Sequence, residues 1–382
     1  MKFIPYGRQS INDEDLETVI EVLKSDFLTQ GPKVREFEDN LKKKFGSEYG
    51  LCLNSATSAL HAACVSLDVG SGDLVWTSPI TFVSSANCAL FCGARVDFVD
   101  VDKQTLNMSA YALEEKLRYT RLNNLQMPKV VIPVHMSGSS CNMKEIFKLS
   151  KEFNFKIIED ASHAVGAKYY DDYVGNCKYS DITVFSFHPV KIITTGEGGA
   201  ALTNSQEYYR KMERFRSHGV TRDPEQRVKK KNDPWTYDQL DLGYNYRMTD
   251  ISAALGISQL HRVDKWVIER HRMVDLYKRA FNETRIQYLQ CGKGVYSSYH
   301  LFIVKLENRR EAYDFLTDSG IGVNVHYMPV HLQPYYKELG FKSGDFPESE
   351  EVYEEILTLP LHPSLEETQQ DYIIEKVKEI SA

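Results

Sequence analysis

The sequence predicts an α/β protein with a mostly parallel sheet, followed by a smaller α+β region at the C-terminal end. From residue 49 onwards short apolar strands alternate with helical segments, which is typical of a parallel sheet covered by helices on both faces. Towards the C-terminus this regularity is lost, and 382 residues are too many for one small core. We therefore expect a large domain over 1–250, with residues 1–30 near the small domain, and a linking helix plus the small domain over 251–382.

Two helices are predicted before the first strand. Apolar residues recur at i, i+3, i+4 and i+7 over 16–23, directly after the polar residues at 12–13, and this spacing indicates an amphipathic helix. A loop follows, and a second pattern of the same kind covers 34–45. Gly46 then offers a C-terminal cap, because glycine readily adopts the left-handed conformation that ends many helices.

The middle of the chain supplies the strands and helices of the expected parallel sheet. The segment 156–203 ends this series with three strands, which we expect to be joined by short turns that contain glycine. The other predicted strands are GLCLN, DLVWTSP, RVDFVD and KVVIPV, and the helices between them are TSALHAACVSL, FVSSANCALF, YALEEKL and MKEIFKLSKEF.

The composition changes once, at 221–236, which contains two prolines and the basic run 229–231. A solvated surface loop and a loop that helps to hold an anionic substrate would both have this composition. A helical pattern then extends from Ile251 to about Phe281 and is expected to form the spine between the two lobes. Further strands are predicted at YHLFIVKL and GVNVHYM, and further helices at EAYDFLTD and from Gln369 onwards.

Charge and composition favour a small-molecule partner over a nucleic acid or a membrane. The net charge is −7, whereas binding to a phosphate backbone needs a basic face. No apolar run has the length of a membrane span, and the first residues lack the apolar core of a signal peptide. The seven cysteines are odd in number and include no Cys-x-x-Cys pair. We expect buried, reduced thiols in a cytoplasmic protein.

The stretch 156–203 concentrates the residues that could carry chemistry. One predicted strand ends at Asp160, and another ends near Ser186, five residues before Lys191. In α/β proteins binding sites lie at the carboxyl ends of the strands. We expect these three residues and His163 to lie together at that edge of the sheet.

Each of these residues also has a purely structural interpretation. Asp160 taken alone is more simply the cap of a turn, and His163 a core histidine with satisfied hydrogen bonds. A buried carboxylate at residue 160 could instead keep a pyridine nitrogen protonated, which makes the ring an electron sink. Lys191 could be a surface lysine, but its apolar neighbours are a poor surface context. An amine that points inward there suits Schiff-base chemistry.

The segment NSATSALHAA at 54–63 predicts an anion site. A strand leads directly into a helix, whose first N–H groups and dipole favour a phosphate, and Thr57 and Ser58 can add hydroxyl donors. A simple N-cap explains one hydroxyl but not three. Phe82 begins the next helix at the same edge, where it could stack on a flat ring, although an isolated phenylalanine is more simply a core residue.

Competing motifs are absent from the sequence. The GEGG at 196–199 is not followed by the Gly-Lys-Ser/Thr of a nucleotide-binding loop. Neither a serine-hydrolase motif nor a zinc-protease motif occurs, and Cys88 and Cys92 lack ligand partners at zinc spacing. We predict no metal site.

Five segments resemble those of the DegT/DnrJ/EryC1/StrS family of sugar-nucleotide aminotransferases. They are NSATSAL, EDASHAVG, FSFHPVKIITTGEGG, GYNYRMTD and HYMPVHLQPYY, in the family's order and spacing over nearly the whole chain. The resemblance implies a fold-type-I enzyme that depends on pyridoxal 5'-phosphate (PLP), with the cofactor in the domain over 1–250. It also implies a homodimer with shared active sites.

The resemblance further implies roles for particular residues. Lys191 would bind the cofactor aldehyde as a Schiff base and serve as general base and acid, and Asp160 would pair with the pyridinium nitrogen. The other expected cofactor-binding residues are Phe82 and His163 at the ring, and Thr57, Ser58, Ser186 and Asn245 of the partner subunit at the phosphate.

Within the family, the loops on the substrate side are most similar to those of enzymes that aminate C4 of UDP-2-acetamido-2,6-dideoxy-β-L-arabino-hex-4-ulose with L-glutamate, in pseudaminic acid biosynthesis. The similar stretches are IPYGRQSI, SDFLTQGPKV, WTSPITFVSSAN and VHYMPVHLQPYY. The residues that this similarity implies around the sugar nucleotide are Tyr6, Phe27, Thr29, His326, Tyr327 and His331.

Other functions stay open at the level of sequence. The substrate could be another nucleotide-linked 4-keto-6-deoxy sugar of the legionaminic acid or bacillosamine type. A PLP-dependent sugar dehydratase is disfavoured because that branch has histidine at the position of Lys191. A non-catalytic PLP-binding regulator would carry an additional DNA-binding segment, and none is visible in the sequence.

Overall fold

The computed structural model describes residues 3–380, except 224, 226, 229–232 and 234. The basic run 229–231, with its two alternative interpretations, lies outside the described residues. The helices are α1 (Asp13–Leu23), α2 (Pro32–Phe45), α3 (Ala56–Ser66), α4 (Ser84–Phe91), α5 (Ala110–Leu122), α6 (Met143–Phe153), α7 (Gln206–Arg216), α8 (Asp250–Leu260), α9 (Val263–Phe281), α10 (Arg309–Asp318), α11 (Pro334–Glu338), α12 (Pro347–Glu355) and α13 (Glu367–Ile380).

The strands include the short ones that sequence patterns did not indicate. They are β1 (Tyr49–Leu53), β2 (Leu74–Thr77), β3 (Arg95–Phe98), β4 (Val130–Ile132), β5 (Lys156–Asp160), β6 (Lys168–Tyr169), β7 (Asp172–Tyr173), β8 (Ile182–Ser186), β9 (Gly199–Thr203), β10 (Val220–Thr221), β11 (Asp238–Gln239), β12 (Gln287–Tyr288), β13 (Val295–Tyr296), β14 (Phe302–Lys305) and β15 (Ile356–Leu359).

Seven strands form the central sheet in the order β1-β9-β8-β5-β4-β2-β3. Strand β9 is antiparallel to β1 and β8, and the other neighbours are parallel. The predicted mostly parallel α/β fold is therefore confirmed. Every residue of β8 and β9 is buried, because helices cover both faces of the sheet, and this explains the continuous apolar runs of these strands.

The link between β5 and β8 corrects one prediction. We expected a short turn, but residues 161–181 contain the β6–β7 hairpin, which pairs with β13. Because β5 and β8 are parallel neighbours, the chain must cross back over the length of the sheet, and a tight turn is impossible. Strands β8 and β9 are antiparallel neighbours, so their link, 187–198, returns directly; it carries Lys191.

A second sheet, β12-β14-β15, packs against α9, α10 and α13 in the C-terminal region. Ile4 belongs to this core, and its N–H group donates a hydrogen bond to the carbonyl oxygen of Gly320 at 2.9 Å. The predicted strand GVNVHYM is wrong: these residues form a loop in which Asn324 makes one bridge to Thr358 of β15. Beyond that bridge the chain leaves β15. The domain boundary at residue 250 stays a prediction.

The helical pattern from Ile251 to Phe281 is two helices, not one. Helix α8 ends at Leu260 and α9 begins at Val263. Arg262, which lies between them, is tied by its guanidinium group to the carboxylate of Asp15 in α1 at 2.6 Å. The apolar spacing continues through this break, so the pattern could not indicate it.

Helix α1 begins as predicted but presents its apolar stripe outwards. Asn12 is the N-cap, and its side chain accepts a hydrogen bond from the N–H group of Asp15 at 3.0 Å. Asp15 and Val22 are buried against α8, whereas Leu16 and Leu23 are 53% and 55% exposed. None of the helices within the described residues is long and apolar enough to cross a membrane.

Candidate active site

A cavity of about 730 Å³ lies at the carboxyl ends of β5 and β8. Its opposite wall comes from the loop that follows the Asn324 bridge. The cavity contains no metal-binding group of three or more His, Cys, Asp or Glu side chains, as far as the structure describes the chain. The predicted site residues that line it are Tyr6, Thr57, Phe82, Asp160, His163, Ser186, Lys191, His326 and Tyr327.

The amine of Lys191 projects into this cavity from a turn in the β8–β9 link. The turn is closed by a hydrogen bond from the N–H group of Lys191 to the carbonyl oxygen of His188 at 2.9 Å. Removal from solvent lowers the pKa of Lys191 to about 8, although the carboxylate of Asp160 acts in the opposite direction. A substantial share of the amine is therefore neutral near pH 7, as a nucleophile or a base requires.

The carboxylate of Asp160 is held in place by hydrogen bonds to both of its oxygens. Oδ2 accepts a hydrogen bond from Ser85 Oγ at 2.6 Å, and Oδ1 accepts one from the N–H group of Ser162 at 3.1 Å. Ser85, in the first turn of α4, also shares a hydrogen bond with Thr81 Oγ1 at 2.8 Å. Sequence reasoning missed Ser85, because nothing in the local pattern connects α4 with the end of β5.

The side chains of His163, Tyr327 and Phe82 surround the middle of the cavity. Nδ1 of His163 accepts a hydrogen bond from the N–H group of Ser137 at 3.3 Å, so Nε2 donates to the hydroxyl of Tyr327 at 3.1 Å. Burial, followed by the positive charge of Lys191, lowers the pKa of His163, and the ring is neutral. Phe82 is 58% exposed, with its ring centroid 6.2 Å from that of Tyr327.

The N-terminus of α3 lies at the other end of the cavity and fits a phosphate group. Helices leave their first N–H groups without partners inside the helix, and those of Ala56 and Thr57 are at this end. The hydroxyl of Ser186 also lines the cavity, and it has no hydrogen-bond partner among the described residues. A Cβ atom at Gly199 would lie 2.5 Å from the nitrogen of Ala56, so only glycine lets β9 approach this helix so closely.

The structure contradicts two of the predicted contacts. The hydroxyl of Ser58 donates to Asn54 Oδ1 at 2.7 Å, inside the capping box of α3, and Ser58 does not line the cavity. The His331 side chain is fully buried outside the cavity, where its Nε2 meets Glu350 Oε1 at 2.9 Å and its ring packs against Phe346. Both motifs gave the right segment, but the backbone directs these two side chains elsewhere.

Three further predicted residues lie outside the cavity on the exposed surface of the single chain. Phe27 is 53% exposed, and Thr29 makes a bridge with Thr249. Asn245 is exposed, and its carbonyl oxygen accepts a hydrogen bond from Nδ2 of Asn54, a residue of the cavity rim, at 3.4 Å. The roles predicted for Phe27, Thr29 and Asn245 stay predictions.

The cavity also contains polar residues that the sequence did not single out. Most of them lie in loops or at the ends of elements, where no periodic pattern indicates which way a side chain points. They are Asn54, Ser55, Thr81, Ser84, Ser162, His188, Glu197, His300 and Asn324.

Comparison with solved structures assigns this arrangement to the class of PLP-dependent sugar aminotransferases. A Streptococcus pneumoniae protein described as a sugar aminotransferase, solved in its PLP-form, superimposes with a TM-score of 0.89 at 32% identity, covering 99% of this chain and 98% of that one. The Helicobacter pylori aminotransferase involved in the biosynthesis of pseudoaminic acid gives a TM-score of 0.91 at 30% identity, with 100% and 99% covered.

Comparison of sequences defines the family. The model of the DegT/DnrJ/EryC1/StrS aminotransferase family matches residues 9–378, and the chain belongs to this family. A Campylobacter jejuni relative, UDP-4-amino-4,6-dideoxy-N-acetyl-β-L-altrosamine transaminase, is 37% identical over 368 residues, which are 95% of this chain and 93% of that one. The predicted family, fold class and PLP dependence are confirmed.

Proposed function

We propose that this aminotransferase moves the amino group of L-glutamate to C4 of UDP-2-acetamido-2,6-dideoxy-β-L-arabino-hex-4-ulose. The observation that carries the proposal is the wall formed by Tyr6, His326 and Tyr327, which lies in the same cavity as Lys191. These three residues come from the loops whose sequences are similar to those of the enzymes that aminate this sugar. The C. jejuni and H. pylori relatives support the same choice of substrate.

In this proposal the chain's own residues hold PLP and move protons. Thr57, Ser186 and the N-terminus of α3 hold its phosphate, Lys191 holds the reactive end, and Asp160 keeps a proton on the ring nitrogen. Bound PLP supplies an electron sink for the negative charge that develops at a substrate carbon.

Lys191 is placed to act as the acid–base group. Because its pKa is about 8, the amine can remove the proton from the carbon that bears the amino group of glutamate. In the second half-reaction it returns a proton to C4 of the sugar. Asp160 does not move during these steps, since Ser85 and Ser162 fix its two oxygens.

The side chain of His326 suits the neutral part of the sugar. Burial, and then the charge of Lys191, lower the pKa of His326 to about 3, so the ring carries no charge. Its Nδ1 is paired with Thr358 Oγ1 at 2.8 Å, and its ring lies 5.4 Å from that of Tyr6. A neutral imidazole beside a tyrosine can bind hydroxyl or acetamido groups, whereas a diphosphate requires cations or N–H groups.

We also propose a homodimer in which Asn245 of the partner subunit completes the phosphate site. The segment around Asn245 exposes apolar side chains: Leu242 is 80% exposed and Tyr244 45%. The outward stripe of α1 adds to this apolar surface in the single chain. Association of two copies would bury such groups, which is the usual driving force for stable dimers.

The test is turnover of UDP-linked 4-keto-6-deoxy sugars of both C5 configurations with glutamate, followed by product mass and by NMR. We expect the β-L-arabino substrate to be converted to the 4-amino sugar much faster than its C5 epimer. Faster turnover of the epimer, or of a bacillosamine-type precursor, would contradict the proposed substrate. The assignment as an aminotransferase would stand in that case.

A further inference from the structure

His300 is a buried polar residue whose side chain the protein leaves partly unsatisfied. The residue is 4% exposed and lines the cavity, yet its Nδ1 atom has no hydrogen-bond partner among the described residues. Native proteins rarely leave a buried nitrogen unpaired without a function. A ligand in the cavity is the available source of a partner.

Arg270 fixes the backbone of His300 from the side away from the cavity. Its Nη1 atom donates to the carbonyl oxygens of Tyr299 at 3.1 Å, His300 at 3.3 Å and Leu361 at 2.9 Å. Arg270 is 1% exposed, and no carboxylate in the described part of the chain pairs with it. A buried positive charge therefore stands directly behind His300.

The surroundings of His300 favour an anion. Burial is the largest cause that lowers the pKa of His300, and the positive charges of Lys191 and Arg270 act in the same direction. The nearest ring is that of His163, whose centroid is 4.5 Å away and which is itself neutral. A bound anion would gain from this positive potential and would supply an acceptor for the unpaired nitrogen.

The proposed reaction offers three kinds of anionic group to such a site. The cofactor phosphate fits the N-terminus of α3 and Ser186, and the sugar diphosphate is separated from C4 by the sugar ring. The α-carboxylate of the amino donor is bonded directly to the carbon from which Lys191 removes a proton. It must therefore lie next to Lys191, and His300 is close enough to Lys191 to respond to its charge.

We propose that His300 binds the α-carboxylate of the amino donor through its Nδ1 atom. The inference rests on the proposed function, which names glutamate as that donor. The keto sugar has no carboxylate at this position, so His300 contributes to the two half-reactions unequally.

The experiment titrates glutamate into holoenzyme and follows the loss of visible absorbance, in the wild type, His300→Leu and His300→Asn. A charge-assisted hydrogen bond is lost in His300→Leu, so we expect the apparent Kd for glutamate to rise by about tenfold or more. The amide nitrogen of asparagine can take the place of Nδ1, and His300→Asn should recover most of the affinity. Amination of the keto sugar by the aminated form should change little.

A second measurement does not depend on turnover. Glutarate carries two carboxylates but no amino group, so its binding to holoenzyme can be measured by calorimetry, and we expect the same order of affinities. The matched control is His362→Leu: His362 is 3% exposed with both ring nitrogens unpaired in the described structure, but it does not line the cavity. Its affinity for glutamate should equal that of the wild type.

The possible results separate this inference from the proposed function. If the wild type does not respond to glutamate, the proposed donor is wrong, and the inference about its carboxylate falls with it. If the wild type responds and His300→Leu binds glutamate equally well, only the inference is overturned. Where His300→Leu fails to fold, His300→Asn decides: near-normal affinity supports the role of Nδ1, and a large loss contradicts it.

Discussion

Lys191 and Asp160 share one cavity, but their surroundings constrain them differently. Both oxygens of the Asp160 carboxylate accept hydrogen bonds, so its negative charge stays at one place. The Lys191 amine makes no hydrogen bond within the described residues and keeps its conformational freedom. A fixed carboxylate and a movable amine suit the proposed roles, because the first must hold a proton and the second must transfer one.

The first prediction at this scale concerns removal of the amine. Lys191→Ala deletes both the attachment of the cofactor and the acid–base group, so turnover should fall by at least about a thousandfold. The fold should survive, because no large apolar cavity is created. Steady-state rates, the visible spectrum and thermal unfolding measure the three effects. Near-normal turnover would show that Lys191 is not the catalytic lysine.

The second prediction follows from the pKa of Lys191. Its value of about 8, against the ordinary 10.5, means that the reactive neutral amine increases with pH up to about 8 and then levels off. The rate at which apoprotein acquires its visible band with added PLP should therefore rise about tenfold per pH unit below 8 and become flat above it. A rate that still rises steeply between pH 9 and 10 would show that the amine is not desolvated.

At the scale of elements, the packing of α1 on α8 depends on a polar contact. The Asp15 carboxylate accepts hydrogen bonds from Ser258 Oγ at 2.6 Å, Gln259 Nε2 at 2.8 Å and Arg262. Burial raises the pKa of Asp15, but these hydrogen bonds and the charge of Arg262 outweigh it and lower the pKa overall. Because this cluster directs Asp15 inwards, the apolar stripe of α1 faces out.

The third prediction tests this cluster. Asp15→Ala leaves the guanidinium group of Arg262 without its carboxylate and should lower the free energy of unfolding by about 3–5 kcal/mol. Because the pKa of Asp15 is lowered in the folded state, its contribution is complete above its ordinary value of 3.8 and is lost as the pH falls below it. Denaturant unfolding at pH 7 and pH 3 measures both effects.

Asp13→Ala, in the same turn of α1 but exposed, is the matched control, with an expected loss of at most about 1 kcal/mol. Equal losses for the two variants would mean that the contact of Asp15 with α8 contributes nothing.

At the scale of the whole molecule, the single chain leaves apolar surface uncovered beside the cavity. Leu242 and Tyr244 are exposed next to Asn245, whose backbone touches the cavity rim at Asn54. The apolar stripe of α1 is exposed as well. Both features support the proposed dimer, in which each subunit contributes to the site of the other.

The fourth prediction is complementation between two inactive variants. Asn245→Ala retains Lys191, and Lys191→Ala retains Asn245, so a mixed dimer contains one site with both intact residues. Random mixing makes about half of the dimers mixed, and activity should reach about a quarter of the wild-type value. Co-refolding, followed by turnover measurements, tests this outcome.

Lys191→Ala mixed with the double variant Asn245→Ala/Lys191→Ala is the control and should stay inactive. Failure of the first mixture to regain activity would contradict a shared site.

Much of the fold and the class of site could be derived from the sequence alone. Alternating apolar strands and helices require a mostly parallel sheet, and the carboxyl ends of its strands meet at one edge. Asp160 and Ser186 end two neighbouring strands, and Lys191 follows in the next link, so these residues had to lie together. The ordered motifs then identified the family, since each motif is local and its spacing is visible in the chain.

The tertiary structure alone decided which side chains reach the cavity. The N-cap geometry of α3 turned Ser58 away, and the pairing with Glu350 drew His331 into the core. Ser85 and His300 entered the site through contacts between elements that lie far apart in sequence. A sequence pattern specifies the period and ends of an element, whereas the direction of a side chain depends on partners brought near by the whole fold, which no local pattern contains.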